Sequence, residues 1–167
     1  MFAASLEWLS ATGVITKCNK IEHGYMPPAI YQDSSSSKVY MGDVGLLTLK
    51  SGLVPHDILG DAHNLFLGAI TENYVANALA TNGFELYYWQ SKSQVEVDFV
   101  IQDRDKIIPI EVKADVHVKS RSLSVYRQRY KPELAIRISA KNFGYANNIK
   151  SVPLSAVYCI GRKELRL

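Results

Sequence analysis

Only two cysteines, Cys18 and Cys159, occur in 167 residues. They lie far apart, with no CxxC or Cys/His spacing, so neither a disulfide framework nor a structural zinc site is indicated and both read as core thiols. No apolar run approaches the roughly 20 residues of a membrane helix, and Met1 to Ser10 is too short and lacks the basic flank of a signal peptide. These absences point to a cytoplasmic protein with no membrane partner. No GxxxxGK[ST] occurs, which excludes nucleotide binding through a Walker loop. Charge of one sign is also scarce: a formal net charge of +3 permits a polyanionic partner without demanding one. What is present, 47% hydrophobic and 21% charged residues, is enough apolar material for a real core and rules out disorder.

Periodicity organises the chain. Phe2 to Ala11 reads as a short helix stopped by Gly13 and followed by the β-rich Val14-Ile15-Thr16. Pro27-Pro28 and the run Ser34 to Ser37 read as loop or linker, which sets a boundary near residues 33 to 38. Asp43 can cap a helix from Val44 to about Lys50, closed by Gly52 and Pro55. A longer helix is predicted over 61–81. Beyond Gly83 the period becomes two, with strands over 84–89, 95–101 and 107–113, then a helix over 119–130 and a strand over 134–139. The tail from Asn142 shows one apolar run, Ala156 to Ile160.

Four polar residues stand where a core is expected. Glu72 is flanked at helical spacing by Leu65, Gly68, Ala69, Val75, Ala76 and Leu79, so its carboxylate must be paired, neutral, or in a wet or metal-containing cleft. On the second strand Val95, Val97, Phe99 and Ile101 are expected on one face, with Glu96, Asp98 and Val100 on the other. On the third strand Ile108, Ile110 and Val112 form the apolar face, which leaves Glu111 and Lys113 on the reverse. A hairpin centred between Arg104 and Asp105 pairs residues whose numbers sum to 209 and sets Asp98 opposite Glu111, with Cβ atoms about 4.5–5.5 Å apart. Such a carboxylate pair repels itself unless a divalent cation lies between the two. A cation held there, with Lys113 pointing the same way, suits phosphodiester hydrolysis.

Asp98, then Glu111-Val112-Lys113, behind a helix bearing Glu72, resembles the PD-(D/E)xK nuclease superfamily. The wider text is Lys38-Val39-Tyr40, Asp43-Val44-Gly45-Leu46-Leu47, Glu72-Asn73-Tyr74-Val75, Glu96-Val97-Asp98-Phe99 and Ile110-Glu111-Val112-Lys113. Over roughly residues 1 to 160 it resembles the C-terminal domain of unknown function of a prokaryotic AAA+ ATPase family. The resemblance implies a mixed α/β fold with a restriction-endonuclease-like core, a central mixed sheet flanked by helices, and a small winged-helix-like segment in front. It divides the chain into a winged-helix-like remnant and linker, 1–37, and a nuclease-like domain, 38–167, with an ATPase module absent from this chain. It further implies Mg²⁺ or Mn²⁺ held by Asp98, Glu111 and Glu72, Lys113 as the motif lysine, and hydrolysis of DNA. Val97 stands where the motif has proline, which leaves the metal chemistry intact. The alternative is a non-catalytic nuclease-fold module that recognises nucleic acid or protein, since fold does not fix function. A third possibility is an ion cluster that ties helix to sheet.

The other polar residues take plainer readings. Glu96 is read as a solvated charge beside a turn, His117 as a surface-loop histidine, and His56 and His63 as loop and helix-start residues. Lys119, Arg121, Arg127, Arg129 and Lys131 either grip phosphates or form a solvated helix face. Trp89 and Tyr87-Tyr88 are read as strand packing rather than a base-stacking platform.

Overall fold

The structure, a computed structural model, describes residues 2–52, 65–91, 94–114 and 121–161. The element order is α1 (Phe2–Ala11), β1 (Ile15–Ile21), β2 (Gln32–Met41), α2 (Val44–Ser51), α3 (Leu65–Thr81), β3 (Leu86–Gln90), β4 (Glu96–Asp103), β5 (Lys106–Val112), α4 (Arg121–Tyr130), β6 (Ala135–Ser139), β7 (Gly144–Ala146) and β8 (Ile149–Pro153). A 3-10 turn over Pro28–Tyr31 precedes β2 and another over Leu154–Cys159 follows β8. His56, His63, His117 and Lys119 lie outside the described residues, as do the expected first residues of the helices at 61 and 119.

All eight strands form one mixed sheet in the order β2-β1-β3-β4-β5-β6-β8-β7. β1 runs antiparallel to β2 and parallel to β3. The boundary expected at 37/38 therefore falls inside β2, and the residues on either side of it share a sheet. Nor is the serine run a free linker. Ser37 pairs with Asn19 and Asp33 with Lys20, and the residues between them bulge out of the ladder. There Asp33 Oδ1 accepts from the Ser35 amide at 3.0 Å and the Ser35 hydroxyl at 2.6 Å. Short polar side chains that bond locally suit an edge strand whose outer rim faces water.

The two faces of the sheet carry separate apolar clusters. Val75, Ala76 and Leu79 of α3 cover Phe99, Ile101, Ile108, Ile110, Ile136 and Ile138 on one. Tyr126 of α4 packs with Trp89, Val97, Val100 and Ile107 on the other. Alternation along β5 and β6 produces this division directly. Along β4 it is broken: Tyr87 pairs with Val100 and Trp89 with Val97, so β4 spends one residue more than β3 over the same span. This bulge turns Val97 to the α4 face, away from Phe99 and Ile101, and corrects the single-face reading of Val95 to Ile101.

Local signals acted as written in the caps. Asp43 Oδ1 accepts from the Leu46 amide at 2.7 Å, and Gly52 closes α2 at φ +74°. The tail hides a hairpin: Asn147 and Asn148 both take positive φ, 52° and 57°, the requirement of a type I′ turn between β7 and β8. Cys18 is buried, whereas Cys159 is exposed, contrary to the core-thiol reading. The 3-10 turn inserts Val157, with Ile160 following, and turns Tyr158 and Cys159 outward.

At the start of the sheet Gly42 donates its N–H to the Val14 carbonyl at 2.8 Å. A Cβ at Gly42 would lie 2.1 Å from the Gly13 carbonyl oxygen, a backbone atom that cannot swing away. Gly42→Ala is expected to cost about 3 kcal/mol through forced backbone movement, read as a lowered urea midpoint at unchanged m-value.

Candidate functional site: a carboxylate pair at the β4 bulge

The site is built where the β4–β5 ladder ends. The ladder runs from Asp103↔Lys106 to Phe99↔Ile110, every pair obeying the centre between Arg104 and Asp105. Arg104 makes the turn with φ 55°. One step further, in the bulge, Asp98 uses its side chain: Oδ2 accepts the Val112 N–H at 2.7 Å. Glu111 alternates to the α4 face and is 1% exposed. Both of its carboxylate oxygens lie 3.1 Å from the Ser122 hydroxyl of α4, and Oε1 accepts from Lys113 Nζ at 2.8 Å. Lys113 is the opening of the site to water, its side chain 38% exposed.

The electrostatics follow from this crowding. Burial, then the neighbouring Glu111 charge, pushes the Asp98 carboxyl up to about 7, against the opposing pull of the Val112 N–H. Glu72 adds to the negative potential there and Lys38 offsets part of it. Partial burial disfavours the Lys113 ammonium, but its hydrogen bond to Glu111 and the charges of Glu111, Asp98 and Glu72 outweigh this and raise its pKa.

Glu72 is placed differently. It approaches from α3, on the face opposite Glu111, and its Oε1 accepts from Lys38 Nζ at 2.9 Å and from the Tyr40 hydroxyl at 2.5 Å. Lys38 also pairs with Glu96 and lies 5.1 Å from the Tyr88 ring centroid. Glu96 is thus an ion-pair partner and not the solvated charge expected. Burial, reinforced by Glu72, raises the Tyr40 hydroxyl and keeps it a donor. Burial works against the Lys38 ammonium, yet Glu72 and Glu96 prevail and raise it. Among the described residues no three His, Cys, Asp or Glu side chains come together as a metal-binding group. The structure brings Asp98, Glu111 and Lys113 together and commits the Glu72 carboxylate to β2.

Sequence reasoning used Lys38, Tyr40 and Asn73 only as text of the resemblance and gave them no role at the site. Lys38 and Tyr40 share one face of β2 at a spacing of two, a signal that carries weight only once β2 is known to face α3. Asn73 is buried and clamps Met41 from both sides, accepting its N–H and donating to its carbonyl, each at 2.8 Å. Of the basic helix residues, Arg127 donates to the Asn147 carbonyl at 2.5 Å and Arg129 stacks 5.3 Å from the Tyr130 ring centroid. Trp89, Tyr87 and Tyr88 are buried, in keeping with packing.

An all-oxygen pair of carboxylates, one raised in pKa by burial and then by the charge of the other, fits a hard divalent cation. Asp98 and Glu111 would hold it, with the remaining coordination positions left to water or substrate oxygens.

Residues 67–157 match the DUF4143 family, a domain of unknown function. No curated protein and no solved structure matches the chain. The matched segment contains nearly all of α3, the whole run from β3 to β8, and each of Glu72, Asp98, Glu111 and Lys113. With over half of its residues inside that match, the chain belongs to the DUF4143 family of domains of unknown function.

Proposed function

We propose that this domain hydrolyses phosphodiester bonds of DNA in a Mg²⁺- or Mn²⁺-dependent reaction, on a restriction-endonuclease-like core, as the nuclease-like module of an ATPase-family protein. The observation that carries this reading is the pairing of half-buried Asp98 with buried Glu111, with the Lys113 ammonium 2.8 Å from Glu111, open to water on the lysine side. Two further features support the fold reading: the antiparallel β3-β4-β5 run followed by α4 and a parallel β6, and a bulge at the first acid. When bound, the cation supplies Lewis acidity and an acidified water. Asp98 and Glu111 hold it against the end of the hairpin. Ser122 and Val112 restrain the two carboxylates. Lys113 keeps an ammonium beside them that can donate to a phosphate oxygen as negative charge develops. Glu72 acts indirectly, through Lys38 and Tyr40, by fixing α3 against β2.

Incubation with linear DNA and Mn²⁺ tests this. Cleavage is expected to fall on the order of 10²-fold or more in Asp98→Asn and in Lys113→Ala, with both variants still folded by circular dichroism. Glu72→Gln is expected to lose far less. Undiminished cutting by the Asp98 and Lys113 variants would remove both residues from the chemistry.

The Lys38 bridge between Glu72 and Glu96 favours a second, structural reading for that half of the region: an ion network that joins β2, α3 and β4. In that reading Lys38→Met leaves two partly buried carboxylates without their cation and lowers stability, with no effect of divalent metal on the loss.

A further inference from the structure

Seating a phosphate before reaction is best served by a cation with no carboxylate partner, and the two lysines of this region each have one, Lys113 in Glu111 and Lys38 in Glu72 and Glu96. Arg137 is different. It lies on β6 directly beside Glu111 in the parallel β5–β6 register. The flanking pairs, Ile110↔Ile136 and Val112↔Ile138, face the α3 cluster, so Arg137 and Glu111 share the opposite face of the sheet. Neighbouring strands stand about 4.8 Å apart, yet among the described residues no carboxylate lies within ion-pair distance of the guanidinium. Glu111 has taken Ser122 and Lys113 as partners instead.

The Arg137 Nε is buried and has no hydrogen-bond partner. An orphaned charged donor is costly, and among the described residues no group fills the hydrogen-bonding capacity of this guanidinium beside a buried carboxylate. The residue as a whole is only half-buried, so an incoming group can reach it. The guanidinium fork offers parallel N–H groups matched to two oxygens of one phosphate, which a compact ammonium cannot reproduce. Resting on the phosphodiester reading above, we propose that Arg137 is a phosphate-binding residue of this site, which seats a DNA backbone phosphate beside the Asp98–Glu111 pair. It is a binding and positioning residue, acting before and apart from the hydrolytic step.

The test is binding of a short fluorescent DNA duplex by anisotropy in EDTA, over a series of salt concentrations, which reads affinity without cleavage. Arg137→Met is expected to bind roughly tenfold more weakly, with a slope of log affinity against log salt shallower by about 0.9. Arg137→Lys is expected to keep the slope and lose affinity, because charge survives and the fork does not. It also carries the test if the methionine variant fails to fold, with an unchanged dissociation constant in the lysine variant counting against the assignment. A parent that binds the duplex, together with an Arg137→Met variant of equal affinity and slope, overturns the role of Arg137 and leaves the nucleic-acid reading standing. A parent with no salt-sensitive duplex binding overturns both.

Discussion

In EDTA at pH 8, Asp98→Asn is expected to unfold at a higher temperature than the parent, and the difference is expected to close as the pH falls toward about 4. The sign follows from the raised carboxyl. Burial and Glu111 lift Asp98 from the ordinary 3.8 to about 7 in the folded chain, so the native state binds a proton that the unfolded state has released. Between these values the folded protein carries the extra proton, and stability falls as pH rises. Above about 7 both states are ionised and the whole cost, a few kcal/mol, is present. Asparagine removes that charge, and its amide oxygen can still accept the Val112 N–H that Asp98 holds at 2.7 Å. Millimolar Mn²⁺ should then raise the melting temperature of the parent and leave the variant unmoved, because only a site that binds the native state gains stability by mass action. A variant less stable than the parent at every pH, with no metal effect on either, would instead make Asp98 part of an ion cluster.

Trp89→Ala is expected to cost about 3–5 kcal/mol, the range for emptying a fully buried aromatic position. Trp89 is 0% exposed and meets Tyr126 and Tyr130 edge-on, with ring centroids 5.3 and 5.7 Å away. Its indole N–H donates to the Tyr130 hydroxyl at 3.1 Å. These contacts seat α4 on the sheet, and α4 supplies the Ser122 hydroxyl that restrains Glu111. Trp89→Phe retains the ring contacts and loses the hydrogen bond, so about 1–2 kcal/mol is expected. Urea titration followed by far-ultraviolet circular dichroism measures both. DNA affinity of Trp89→Phe should match the parent; a selective loss of binding with stability preserved would revive the indole as a stacking platform.

Much of the candidate site was legible because its geometry is local. A two-residue turn at Arg104-Asp105 fixes the β4–β5 register from Asp103↔Lys106 to Phe99↔Ile110, and the ladder stops one step short of Asp98 and Glu111. Lys113 follows by alternation. The role of Glu72 was less legible. Its apolar neighbours on α3 announced a carboxylate in need of a partner, but that partner, Lys38, is 34 residues away and on a strand that the serine run had disguised. The bulge in β4 escaped because Val95 to Phe99 keep period two; it appears only when β3 and β4 are laid side by side and their lengths fail to agree.

The sequence by itself determined the caps of α2 and the β4–β5 hairpin with its register, since each depends on residues within a few positions or across one tight turn. Tertiary structure alone decided that β1 and β2 extend the sheet, that Glu72 and Glu111 approach Asp98 from opposite faces, and that Arg137 stands beside Glu111 without taking it as a partner. Those outcomes depend on which strands become neighbours and which charges are desolvated together, quantities set by the packing of distant segments and carried by no local pattern.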